Sequence, residues 1–149
     1  MRWRFVDRVT AFESWRRIAG RKAVSLEEYK LPAPLGREGV LPESLVLECC
    51  VELGRWLAAA SSDFRQACVL EEVAGFAFSG QAGMGDVLEI EVRLSEGGAG
   101  SASVRAECRV STSAREVAAG RLVLGLVPLA EGFDPDFAAS LWRELRGQA

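Results

Sequence analysis

The sequence predicts one α+β domain in which a long buried helix lies against a twisted antiparallel sheet. The first observation behind this is residues 41–60, LPESLVLECCVELGRWLAAA, where Leu45, Val46, Leu47, Cys49, Cys50, Val51, Leu53, Trp56 and Leu57 cover more than one stripe of a helix. A helix apolar nearly all round is a buried one. The second is a pair of segments with a period of two. In Asp86 to Leu94, Leu88, Ile90, Val92 and Leu94 share one face against Glu89, Glu91 and Arg93; in Ala102 to Val110, Val104, Ala106, Cys108 and Val110 oppose Ser103, Arg105, Glu107 and Arg109. Such alternation belongs to strands buried on one face. The third is their connection, Glu96-Gly97-Gly98-Ala99-Gly100-Ser101, whose glycines mark a hairpin and make the two strands antiparallel.

Taken in order, Trp3 to Val9 alternates loosely and runs on into Phe12 and Trp15, so a short strand or turn is expected, followed by an extended piece near Arg21 to Leu26. Leu31 to Val40 holds Pro32, Pro34, Gly36 and Gly39 and reads as an irregular loop. It delivers the chain to the helix. There Pro42 suits the first helical position, where its missing N–H is no loss, and Glu43 sets negative charge at the positive end of the dipole. The helix fades in Ser61-Ser62-Asp63, Ala67 to Ser79 is extended with a bend at Gly75, and Gly80 to Asp86 is a turn. After the alternating pair, Ser111 to Ala114 turns the chain into Glu116 to Val127, which is apolar on both faces toward its end and therefore central or at an interface. These three strands form a meander. Asp134-Pro135-Asp136 then supplies an N-cap acid, a proline at the first helical position and a second acid in the first turn. Phe137, Leu141, Trp142 and Leu145 give that short helix one apolar face, which covers the sheet or binds a partner. The expected boundaries are residues 1–130 for the domain and 131–149 for a C-terminal helical extension.

The chain of 149 residues is 49% hydrophobic and 26% charged, an ordinary soluble composition. Its longest apolar run is interrupted by Glu48, Glu52 and Arg55, and MRWRFVDRV lacks the apolar region of a signal peptide, so no membrane span and a cytoplasmic location are expected. Residues 1–22 carry seven basic side chains against two acidic ones, a local +5, while the remainder is −8. No nucleic-acid motif or aromatic stacking series accompanies these arginines, so they belong to a solvated surface or meet an acidic partner. Cys49, Cys50, Cys68 and Cys108 lack the spacing of a zinc or redox motif and read as buried thiols. No metal site, nucleotide fingerprint or nucleophile elbow is found. No cofactor is called for.

The residues that stand out are Glu48 and Glu52, four apart on one face of an apolar helix, where like charges repel. In one reading both join Arg55 in a polar network at a dimer interface. In the other, Arg55 neutralises Glu52 and leaves Glu48 facing a substrate cavity. The order of Phe5-Val6-Asp7-Arg8-Val9, the Pro/Gly loop, Leu41-Pro42-x-x-Leu45-x-x-Glu48 opening the helix, and Gly85-Asp86-x-Leu88 starting a strand resembles the 3-hydroxyacyl-(acyl carrier protein) dehydratases of fatty-acid synthesis. The resemblance runs over roughly residues 3–128 and leaves the C-terminal helix aside. It implies the hot-dog fold, a central helix wrapped by the sheet, and a homodimer with acyl sites at the subunit boundary.

The same resemblance implies that Glu48 occupies the family's catalytic acid position on the helix. It also implies that Pro42 and Glu43 lie at the helix start, where backbone N–H groups hold the thioester oxygen, and that Glu52 stands where a glutamine is usual; Pro42, Glu43 and Glu52 are therefore the substrate-binding candidates. Two departures matter. Glu43 replaces a glycine, and Pro34 or a close neighbour replaces the histidine of the loop, in a chain that contains no histidine. Dehydration needs both an acid and a base, each worth about 10²- to 10⁴-fold. The function implied is thus binding of a fatty-acyl or 3-hydroxyacyl thioester of acyl carrier protein or CoA, without ordinary dehydratase chemistry. The alternatives are an active enzyme on such thioesters, a dehydratase or thioesterase using Glu48, and a structural subunit without a ligand. Expected partners are the thioester carrier, a second copy of the chain, or a paralogous dehydratase subunit.

Overall fold

The computed structural model describes residues 5–25 and 39–147. The Pro/Gly loop, with Pro34, falls outside them. Six strands and two helices follow in order: β1 (Arg8–Glu13), β2 (Arg17–Ala23), α1 (Glu43–Ser61), β3 (Gln66–Phe78), β4 (Val87–Glu96), β5 (Ser103–Ser111), β6 (Glu116–Pro128), a 3₁₀ turn at Leu129–Glu131, and α2 (Pro135–Leu145). The strands form one antiparallel sheet in the order β1-β2-β4-β5-β6-β3. The helix α1 packs against β2 to β6, the wrapped arrangement expected.

The period-two faces turn toward α1 as expected. Leu88, Ile90 and Val92 of β4 and Val104, Ala106, Cys108 and Val110 of β5 are buried, and they meet Val46, Cys50, Leu53 and Leu57 of the helix in one core. Burying each such aliphatic side chain is worth about 1.5–3 kcal/mol. All four cysteines are buried thiols outside any disulfide.

Three expectations change. The N-terminal region is a full β1–β2 hairpin, not a loose strand and a later extended piece. A tertiary contact invisible in the sequence fixes its turn: Trp15 sits at φ 54° and its N–H donates to Ser61 Oγ at 2.8 Å, at the far end of α1. Pro42 is the N-cap residue, with extended ψ of 143°, and the helix proper begins at Glu43. In α2, Asp134 caps the helix by accepting from the Asp136 N–H, but Phe137 is 45% exposed and Ala138 is buried in its stead. The apolar face is rotated because α2 docks through Trp142. That ring stacks on Trp56 of α1 at 5.9 Å, meets Phe12 of β1 edge-on at 5.1 Å, and has the Arg146 guanidinium over it.

The bend expected at Gly75 is present, with φ at 57° and shifted pairing between β3 and β6 around it. β3 is the outer strand beyond β6, so among the described residues its far side has no strand neighbour.

Candidate functional site

The start of α1 is tied to the segment between β3 and β4. Leu41 N–H donates to the Ala82 carbonyl at 2.8 Å, Met84 N–H donates to Gly39, and Val40 bridges Gly83. Asp86 holds that segment by accepting from Gly83 N–H at 2.8 Å, and the Arg115 guanidinium donates to the Gln81 carbonyl at 3.0 Å. A cavity of about 380 Å³ lies at this junction. It is lined by Val40, Leu41, Pro42, Glu43, Ser44 and Val46 from the helix start, by Phe78 at the end of β3, by Gly80, Gln81 and Ala82, and by Val117 of β6. Gly80 is required there, since a Cβ would fall 2.5 Å from the Glu116 carbonyl oxygen.

The cavity lining mixes apolar side chains with the polar Glu43, Ser44 and Gln81. Pro42 provides no side-chain cap. The first N–H groups of a helix have no partner within it, so those of Glu43 and Ser44 are disposed to meet an acceptor at the positive end of the helix dipole. Among the described residues no cation pairs with the Glu43 carboxylate.

Of the residues singled out from the sequence, Pro42 and Glu43 line this cavity. Glu48 and Glu52 do not. Arg55 Nη1 lies 3.1 Å from Glu48 Oε1 and 3.3 Å from Glu52 Oε2, so one guanidinium ties both carboxylates. This is the polar network of the first reading, with Glu48 paired and not left isolated. Nor is the helix buried on every side. The side chains of this stripe, Glu48, Glu52 and Arg55, are 35%, 29% and 43% exposed.

The stripe faces the start of β3. Burial pushes the Cys68 thiol there up to about 12, with Arg55 opposing the rise and Glu52 adding to it. Cys50 is also held well above the ordinary thiol range, by its hydrogen bond with Cys108 and by burial. Thiols kept protonated in this way are poor nucleophiles. In the basic N-terminal segment, Arg17 pairs with Glu13 and Glu91, and Arg21 pairs with Glu89 at 2.8 Å. Among the described residues no group of three or more His, Cys, Asp or Glu is placed to hold a metal, and no helix is long and apolar enough to cross a membrane.

Sequence reading missed Ser44, Phe78, Gln81 and Val117. The only signal was the glycine-rich run at 80–86, which reads as a turn until its pairing with the helix start is seen.

No protein-family model and no curated protein matches the chain. Solved structures do match. A Streptococcus mutans UA159 protein bound to acetyl CoA superposes with a TM-score of 0.65 at 15% identity, over 81% of this chain and 88% of that one. A hot-dog-like protein from Thermanaerovibrio acidaminovorans gives a TM-score of 0.66 at 14% identity, over 89% and 93%. The fold is the hot-dog fold. A third hot-dog match, a hypothetical thioesterase protein with coenzyme A from Streptococcus pneumoniae TIGR4, superposes at 0.64 with 11% identity over 80% and 84%. At these identities the likeness concerns the fold, and the activity of this hot-dog chain has to be argued from its own residues.

Proposed function

We propose that this hot-dog protein binds an acyl thioester of CoA or acyl carrier protein in the cavity at the start of α1. The observation that carries this is the cavity's construction: a volume of about 380 Å³ with an apolar wall on one part of its lining, opening on an uncapped helix N-terminus. The apolar wall of Val46, Phe78, Ala82 and Val117 suits an acyl chain, and the N–H groups of Glu43 and Ser44 suit the thioester carbonyl. Ordinary dehydratase chemistry does not form part of the proposal, because the chain has no histidine and Glu48 is tied to Arg55. That two matched structures contain CoA or acetyl CoA supports the ligand class.

The proposed assembly is a homodimer joined along β3. Val69, Leu70 and Val73 on this outer strand are 48%, 38% and 41% exposed, an apolar edge of the kind that seeks a second strand. Glu48 enters as a carboxylate of the subunit boundary. It lies outside its own chain's cavity, so it reaches a ligand only across a dimer. Val73→Lys is expected to convert the dimer to monomer in light scattering at micromolar concentration, and an unchanged mass would remove β3 from the interface.

The binding itself is tested by calorimetry with S-octyl-CoA, a thioether that cannot be hydrolysed. Saturable binding is expected, with at least about tenfold weakening in Gln81→Trp, whose indole occupies the cavity from an exposed position. Equal affinity in wild type and variant would place the ligand elsewhere.

A further inference from the structure

Building on the binding reading above, on which the inference rests, we propose that Asp86 and Arg115 are positioning residues for the thioester carbonyl. They act through the backbone of residues 81–83 on the first N–H groups of α1. Both side chains hydrogen-bond to the 80–86 segment. Arg115, in the turn between β5 and β6, donates to the Gln81 carbonyl through Nε at 3.0 Å and through Nη2 as well. Asp86 Oδ2 accepts from the Gly83 N–H at 2.8 Å. Their own ion pair, at 3.5 Å with both side chains partly exposed, adds little by comparison.

These contacts bracket Ala82. With Gln81 held on one side and Gly83 on the other, the Ala82 carbonyl is fixed where it accepts the Leu41 N–H at 2.8 Å. Ala82 is buried and lines the cavity. Pro42 follows Leu41 and has no N–H to anchor it, so the place of the helix start rests on contacts just upstream, of which the Leu41 N–H makes the nearest. The N–H groups of Glu43 and Ser44 come immediately after. A hydrogen bond weakens steeply as its angle departs from linear, so a small shift of Leu41 is felt by any carbonyl those groups receive.

The Gly85-Asp86 pair, picked out in the sequence at the start of a strand, gains a physical role. Gly85 sits at φ 91°, a conformation that favours glycine. Asp86 is rooted just past the end of β2, where its carbonyl accepts the Val24 N–H at 2.9 Å and the Gly85 N–H donates to the Val24 carbonyl at 3.1 Å. The carboxylate that holds Gly83 is thus anchored to the sheet.

The test compares two ligands that cannot be hydrolysed, by calorimetry: S-octyl-CoA, which has no carbonyl, and the ketone in which a methylene replaces the sulfur of octanoyl-CoA. Wild type is expected to bind the ketone about five- to tenfold more tightly, the share of one hydrogen-bonded carbonyl. Arg115→Met, which keeps the stem lying against Gly80, and Asp86→Ala are each expected to abolish that preference while thioether affinity stays within about threefold. Asp86→Asn keeps an acceptor for the Gly83 N–H and is expected to restore it. A residue that merely shaped the cavity would weaken both ligands alike. Equal weakening of the two ligands in Arg115→Met, a preference that survives both substitutions, or no restoration in Asp86→Asn overturns the assignment. Should Asp86→Ala fail to fold, Arg115→Met, on an exposed turn, decides. Wild type that binds both ligands equally overturns the assignment too and leaves the binding reading standing. Wild type that binds neither removes both.

Discussion

Alanine at Gly120 is expected to lower stability by about 3 kcal/mol, or roughly 6–12 °C in Tm for a chain of this size. Gly120 lies on β6 in phase with Ala118, Leu122 and Leu124, all buried, so a side chain there would point toward α1. That space is already taken. A Cβ would fall 2.3 Å from the Phe76 ring and 2.6 Å from the Phe76 Cα, so backbone of β3 as well as a flexible ring would have to move. Phe76 sits in the irregular stretch after Gly75, and Phe78, two residues on, forms part of the cavity wall. The damage should therefore reach the site: S-octyl-CoA binding is expected to weaken along with the urea midpoint. The pair Gly120→Ala with Phe76→Ala is the diagnostic one, since removing the ring relieves only the side-chain clash. Partial recovery in the double variant supports this account, whereas full additivity of the two losses would show that the residues do not compete for space.

Alkaline pH is expected to destabilise the protein steeply, with buried thiols as a main cause. The Cys68 thiol is raised from 9.0 to about 12 in the folded chain, and Cys50 is raised in the same direction. Below pH 9 both are protonated whether the chain is folded or not, so their contribution is fully present. As pH rises toward 12 the unfolded chain loses these protons while the folded chain keeps them, and stability falls by about 1.4 kcal/mol per pH unit for each such thiol. Urea unfolding at a series of pH values between about 9 and 12 measures the slope. Cys68→Ala should be less steep than wild type over that window by about one thiol's share. Equal slopes would show that Cys68 is not the group whose ionisation resists folding.

Much of this architecture is legible in the sequence because burial imposes a period on it. Leu88-x-Ile90-x-Val92 and Val104-x-Ala106-x-Cys108-x-Val110 announce a sheet with one face inside, and Asp134-Pro135 announces where α2 begins. What escapes is set by contacts between distant segments. The tight turn at Trp15 depends on Ser61, and the orientation of α2 depends on the stack of Trp142 on Trp56. The candidate site shows the same division. Glu43, Glu48 and Glu52 stand out as acids on an apolar helix, but no spacing rule says that Arg55 will hold Glu48 as well as Glu52. Nor does it say that Glu43 alone of the three will share a cavity with residues 78–82 and 117. Those neighbours come together through the hydrogen bonds of Leu41 to Ala82 and of Ser79 and Gly80 to the Val117 carbonyl.

One strand carries both an exposed apolar edge and part of the cavity wall. The exposed Val69, Leu70 and Val73 lie on the same continuous β3 whose last residue, Phe78, walls the cavity. If the second copy joins at that edge, occupancy and self-association become thermodynamically coupled: ligand tightens the pairing, and pairing tightens the ligand by the same factor. Affinity measured at nanomolar protein would then be weaker than at micromolar protein, and the midpoint of a dilution series would shift with saturating thioether. The protein would report its own abundance through how well it holds its ligand.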